Sequence, residues 1–309
     1  MPTYTPPLRD MQFVMHELLK ITDDLKQIPR HAEIDADTIN QVLEEGGKFA
    51  SQVVFPLNVS GDEEGCTYNA ATREVTTPKG FNYAAVEASL KLVGRGKAAV
   101  IKSTVLPGTT AKLQKKFPSL YVMHSPEFLV LKQAAEDAAR PLRNIIGVVK
   151  QTPAAKAKAK QVLKVLPRAP YELVCPIEEA ELIKYAGNFF LYLKVLYANL
   201  MYEMAEATGA DYELIRAAVA ADPRIGPSHL QVLHDSGHRG ARKGRGAGGV
   251  CFIKDVAALA DFYGKKVGNR PGAKLMRAAI EKNIGLLVAS GKDLDLLAGV
   301  YGARVLRKK

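Results

Sequence analysis

Three stretches of this 309-residue chain hold residues able to do covalent or acid–base chemistry. The first is GRGAGGVCFIKD at 244–255, where Cys251 follows a run of glycines and precedes Lys254 and Asp255. A thiol attacks as thiolate, and nearby cations or a helix N-terminus favour that form. Cys251 stands at the start of an expected helix over 251–262, with Arg242, Arg245 and Lys254 close in sequence. Gly246, Gly248 and Gly249 let the backbone approach a ligand closely. The same spacing suits equally well a small buried cysteine packed beneath a loop.

The second stretch pairs Lys184 with Asn188, four positions apart and so on one face of an expected helix. An ammonium and an amide on one face can both donate to a developing oxyanion; an ordinary surface pair is the plainer alternative. The third set, Ser103, Thr104 and Glu127, falls at the carboxyl ends of expected strands, where ligands collect in open α/β sheets. A carboxylate there can take a proton from an ordered water.

The elements that must position these residues are legible in the periodicity. Residues 10–58 show helical spacing, with Asp37 as an expected cap, and 58–81 reads as loop or short hairpin. From about residue 85 helices alternate with short apolar strands: AAVEASLKLV is helical, KAAVIKST a strand, PGTTAKLQKKF a helix. LYVMHSPE, RNIIGVVK and PYELVC are further strands, with a helix at AAKAKAKQVLKVL. That alternation predicts a parallel sheet of about four strands. After Pro176 everything is helical: one long helix ended by Gly209, a helix capped by Asp211, a polar glycine-rich loop over 222–250, then helices near 251–262, 272–289 and 293–300. The expected fold class is therefore α/β, a partial doubly wound parallel sheet followed by an all-helical dimerisation domain, with an N-terminal helical segment. The expected domains are 1–83, 84–176 and 177–309.

Composition narrows the function. Hydrophobic residues make up 47% and charged residues 24%, an ordinary globular balance that excludes disordered and fibrous classes. No apolar run is long enough to span a membrane. Three widely spaced cysteines without a CxxC pair fit a reduced, cytoplasmic protein. The net charge of +11 favours anionic partners, either nucleic acid or a phosphorylated small molecule. No aromatic stacking platform supports nucleic acid, so none is expected as a partner. His229, His234 and His238 lack companions at zinc spacing, so no metal is expected.

Taken together, VIKSTVLPGTT (100–110), HSPEFL (124–129), EAELIKYAGNFFLYLKV (179–195), DPRIGPSH (222–229) and GRGAGGVCFIKD (244–255) resemble the UDP-glucose and GDP-mannose 6-dehydrogenases, over about residues 84–302. The resemblance implies NAD as cofactor and a nucleotide sugar such as UDP-glucose as substrate, oxidised twice to the uronate through a cysteine thioester. By motif position, Cys251 would be the nucleophile. Lys184 and Asn188 would stabilise the oxyanion, Asp255 would act as a base through water, and Thr104 and Glu127 would order water at the sugar carbon. Lys254 would face the cofactor, with Ser103 and Thr104 beside it. Arg224, Gly248 and Gly249 would touch the nucleotide sugar, Arg224 from across a homodimer.

The family's pattern is not followed throughout. Leu131 occupies the place of a second glutamate after PEFL, and Ala247 the place of an aromatic between the glycines. No GxGxxG loop follows a strand, so the amides that would cradle a pyrophosphate are not recognisable, and slow turnover with NAD is the expectation. Residues 1–81 carry a different resemblance. YTPPLRDMQFVMHELL (4–19), VLEEGGKFASQVVFPLN (42–58) and VTTPKGF (75–81) look like the N-terminal helical region of acyl-CoA dehydrogenases, which holds neither flavin sheet nor catalytic glutamate. A fusion joined near 81–86 follows, and the competing reading is a non-catalytic fusion or oligomeric scaffold.

Overall fold

The computed structural model describes residues 5–54, 67–69, 74–76, 83–238 and 241–307. The chain forms two compact units, Met1–Gly65 and Cys66–Lys309. In the first, α1 (Leu8–Gln12), α2 (Ile21–Lys26) and α3 (Ala36–Phe49) are joined by π-helical and 3-10 turns. Asp35, rather than the expected Asp37, caps α3: its carboxylate accepts from the Thr38 amide at 2.8 Å, and Asp37 falls in the first turn. Gly47 lets α1 close on α3, since a Cβ there would sit 3.1 Å from Leu8 Cδ2.

Within 58–81 the described residues form an antiparallel hairpin, β1 (Thr67–Asn69) and β2 (Glu74–Thr76). The rest of that segment, Cys66 included, lies outside the described residues.

The second unit continues with α4 (Ala84–Lys91), β3 (Ala98–Ile101), α5 (Thr109–Lys116), β4 (Tyr121–His124), α6 (Ala134–Ala139), β5 (Arg143–Val148), α7 (Pro153–Val165) and β6 (Tyr171–Pro176). The strands order β3-β4-β5-β6. Both faces are covered, as the β-branched runs require. Leu90, Ile101, Val105, Leu113 and Val122 pack on one side, and Met123, Ile146, Val148 and Ala159 on the other. β3–β4 and β5–β6 are parallel, but β4 meets β5 antiparallel, so the sheet is mixed where an all-parallel one was expected. The reason lies in the connection: α6 is six residues long and buries none of them. A helix without a buried face cannot carry the chain back across a sheet, so β5 starts from the end at which β4 stopped.

Directly after β6, α8 (Ile177–Thr208) runs for 32 residues, about 48 Å at the α-helical rise. Its start packs on β5, where Gly147 admits it: a Cβ on Gly147 would lie 2.5 Å from Ala180 Cβ. Its remainder builds the helical part with α9 (Tyr212–Ala220), α10 (Gly249–Lys266), α11 (Arg270–Ser290) and α12 (Leu294–Tyr301). Gly209 ends α8 at φ +71°, and Asp211 caps α9 through the Glu213 amide, both as the sequence suggests. Among the described residues no helix is long and apolar enough to cross a membrane.

Candidate active site

Three elements converge on Cys251. It is exposed, in the first turn of α10, and Asp255 follows four residues later on the same face. Asp255 is 1% exposed. Its carboxylate accepts from Asn188 Nδ2 at 2.7 Å and from Lys254 Nζ at 2.6 Å. One turn before Asn188 on α8, Lys184 donates to the backbone carbonyl of Glu127 at 2.7 Å. Burial pulls the Lys184 ammonium below its ordinary pKa, while the charges of Cys251 and Asp255 pull it back up and those of Lys254 and Arg143 push it down. The thiol, the ammonium, the amide and the carboxylate thus share one neighbourhood.

The loop after β4 enters from the sheet side. Glu127 carries an ion pair with Lys102 at 2.5 Å, and the next residue, Phe128, lies beneath the Arg143 guanidinium at 3.7 Å from the ring centroid. Behind them His124 is buried, its Nδ1 donating to the Ile101 carbonyl at 2.9 Å. Burial lowers its pKa from 6.5 to about 4, and the Lys184 charge adds to the effect, so it stays neutral at physiological pH. A cleft of about 360 Å³ opens here, lined by Lys102, Ser125, Glu127, Phe128, Arg143 and Asn144 among others.

The expected site residues divide accordingly. Cys251, Lys184, Asn188, Asp255, Lys254 and Glu127 come together. Ser103 is exposed and Thr104 half-buried in the loop after β3, and none of the described hydrogen bonds ties either to the cluster. Arg224 instead chelates Asp222, at 3.0 Å through Nε and 2.6 Å through Nη2, with its side chain 86% exposed. Gly248 and Gly249 form the N-terminus of α10.

Sequence reasoning missed the residues that hold the cysteine loop. Asn283 clamps Ala247 from both sides, accepting from its amide at 2.7 Å and donating to its carbonyl at 2.9 Å. A buried amide between Ile280 and Ile284 on an apolar helix face was the available signal. Arg245 is fixed by Glu203 at 2.7 Å and by Asn199 at 2.9 Å. Lys292 and Asp293 hold the loop from below, and nothing in their spacing announces it.

The glycine-started helix that follows β3 offers no phosphate cradle. The free amides at the start of α5 are occupied by the buried carboxylate of Glu181, which accepts from Gly108 N at 2.6 Å and Thr110 N at 2.9 Å. An internal anion thus fills the place where a helix N-terminus would take a pyrophosphate. The start of α5 therefore has no free amides to offer a phosphate.

Comparison with known proteins agrees with this architecture. Residues 178–284 match the central domain of the UDP-glucose/GDP-mannose dehydrogenase family, and residues 79–166 match that family's NAD binding domain. The UDP-glucose 6-dehydrogenase of Rickettsia prowazekii (strain Madrid E) is 32% identical over 207 residues, covering 66% of this chain and 44% of that protein. That of Rhizobium meliloti (strain 1021) is 33% identical over 171 residues, covering 52% and 36%. The solved structure of a UDP-glucose dehydrogenase from the archaeon Pyrobaculum islandicum aligns with a TM-score of 0.54 at 33% identity, over 67% of this chain and 48% of that one. A UDP-D-ManNAc dehydrogenase from Pyrococcus horikoshii, 22% identical, shares the fold at a TM-score of 0.54 over the same shares, 67% and 48%. The chain spans less than half the length of each of these relatives.

Proposed function

Because the chain belongs, over residues 79–166 and 178–284, to the UDP-glucose/GDP-mannose dehydrogenase family, we propose that it carries the thiol site of a nucleotide-sugar 6-dehydrogenase, acting on UDP-glucose or a similar nucleotide sugar. The observation that carries this reading is the convergence of Cys251, Lys184, Asn188 and Asp255 from two helices far apart in sequence. In this reading 84–176 is a partial dinucleotide domain and 177–309 the helical domain that supplies the nucleophile.

NAD would supply the hydride acceptor, and Lys254 with the strand-end residues Ser103 and Thr104 would hold it. The Cys251 thiolate adds to the carbonyl carbon of the sugar aldehyde, forming a C–S bond and moving the carbonyl electron pair onto oxygen. Lys184 and Asn188 donate hydrogen bonds to that oxygen, which costs little reorganisation because α8 already fixes both. Thr104 and the Lys102-paired Glu127 order water near the same carbon. Hydride leaves that tetrahedral carbon for the nicotinamide acceptor as the oxygen's electron pair re-forms the carbonyl, leaving a thioester on Cys251. Asp255 then receives a proton from the water that cleaves the thioester, releasing the uronate and returning the thiolate. Arg224, Gly248 and Gly249 contact the nucleotide sugar.

Purified chain incubated with NAD and UDP-glucose tests the reading through reduced nicotinamide and uronate. The expected result is slow formation of both, lost in Cys251→Ala. Turnover is slow because the phosphate end of the cofactor is poorly held: two or three missing amide bonds of roughly 1.5–3 kcal/mol each amount to about a hundredfold or more in affinity. No uronate at any protein concentration would favour the scaffold reading instead.

A further inference from the structure

We propose that the adjacent pair Lys292–Asp293 is a charge-balanced clamp that positions Cys251 and sets its reactivity; the proposal rests on the assignment of Cys251 as nucleophile. Both side chains are buried, Lys292 at 0% and Asp293 at 5% exposure. They grip the cysteine loop at two points three residues apart. Lys292 Nζ donates to the Gly246 carbonyl at 3.0 Å, and the Asp293 carboxylate accepts from the Gly249 amide at 2.7 Å, at the first position of α10. Ser236 donates its hydroxyl to the same Asp293 oxygen, and His238 Nε2 lies 3.7 Å from the other.

The local backbone is shaped for this task. α11 ends with Gly291 at φ +68°, and the Lys292 amide returns to the Leu287 carbonyl at 3.0 Å, which turns the chain toward the loop. Asp293 follows in the left-handed region at φ +52°, unfavourable for a residue with a Cβ. It precedes α12, yet its side chain makes no cap to that helix. An aspartate that accepts backbone strain and leaves its own helix uncapped, in order to cap a helix 44 residues earlier, is placed for the earlier helix. Gly248 completes the arrangement. A Cβ there would strike the Asp293 carboxylate and lie 2.6 Å from Ser236 Oγ and 2.8 Å from Lys292 Cε.

The two charges act on the thiol in opposite senses. A carboxylate on the first amide of α10 offsets the positive end of the helix that would favour thiolate, and the buried ammonium beside it restores that bias. Burial lowers the Lys292 pKa to about 8, against the raising effect of Asp293 and Asp235, so the cation depends on its partner. Lys292 and Asp293 are thus positioning residues that act through Cys251.

Iodoacetamide labelling of Cys251 at neutral pH, quantified by peptide mass spectrometry in the full chain, tests this. Asp293→Asn keeps an acceptor for Gly249 and removes the negative charge, so labelling should accelerate about two- to fivefold. Lys292→Met should slow it by a similar factor. A role confined to holding the loop would move both variants the same way. Where Lys292→Met fails to fold, Ser236→Ala serves: without the hydroxyl that donates to it, the field of the Asp293 carboxylate at the loop is less screened and labelling should slow. Unchanged rates, or equal shifts in one direction, would overturn the clamp. Uronate formation by the parent chain is scored separately, so its absence contradicts the dehydrogenase reading without touching the labelling comparison.

Discussion

Asn188 and Asp255, 67 positions apart, meet at 2.7 Å and join the long helix to the helix that bears the cysteine. The bond places an amide already committed on one side beside a carboxylate whose other oxygen is held by Lys254 at 2.6 Å. Two ends of the proposed chemistry, oxyanion stabilisation and water activation, are therefore mechanically coupled.

Removing Asp255 breaks that coupling. Asp255→Ala leaves an amide and an ammonium without their buried acceptor, and the folded state should lose about 3 kcal/mol. Asp255→Asn keeps acceptor capacity and should lose clearly less. Urea denaturation of the two variants checks the order; equal losses would mean the carboxylate is not the junction described.

Glycines on α10 separate close approach from helix propensity. Gly264 has nothing within 4 Å of a built Cβ, so Gly264→Ala should stabilise the chain by up to about 1 kcal/mol. Gly248→Ala must displace Asp293, Ser236 and Lys292 and should cost about 1–3 kcal/mol. Thermal midpoints moving in opposite directions confirm the contrast.

Much of this was legible in the sequence because it rests on local rules. Gly209 and Asp211 mark helix ends by chemistry that acts within a turn, and Lys184 and Asn188 share a face by helical geometry alone. The strands at 98–101 and 143–148 followed from β-branched runs. The antiparallel β4–β5 pairing did not, because its cause is the missing buried face of α6, a connection that reads as a plain short helix. Nor did the Lys292–Asp293 clamp, since contacts to backbone amides and carbonyls leave no residue-type pattern at the far end. Glu181 was hidden for the same reason: its partners are the amides of Gly108 and Thr110.

His124 makes stability depend on pH in a defined window. Its folded pKa of about 4 lies below the ordinary 6.5. Between those values the unfolded chain binds a proton that the folded chain does not. Stability is full above about 6.5 and falls as the pH drops toward 4, by up to about 3 kcal/mol from this group. His124→Gln should flatten that part of the profile relative to the parent; parallel profiles would mean the imidazole is not held neutral.

Self-association should follow from α8. Phe190, Leu200 and Met204 are 65%, 44% and 52% exposed on a helix whose other face is buried. Apolar side chains left on one helix face suit a second copy. Light scattering should give twice 33.6 kDa at micromolar concentration, and Phe190→Glu should halve it. A monomeric parent chain would contradict the proposed homodimer.

The most direct measurement of the central claim is competitive thiol labelling of the native chain. Cys251 is exposed, in a cationic loop and near Lys184, whereas the Cys175 thiol is buried and pushed up to about 11. Iodoacetamide at neutral pH should modify Cys251 well before Cys175, Lys184→Met should slow that reaction, and UDP-glucose should protect against it. Labelling of Cys251 that is no faster than that of an unstructured peptide thiol, and indifferent to both Lys184→Met and UDP-glucose, would contradict the account.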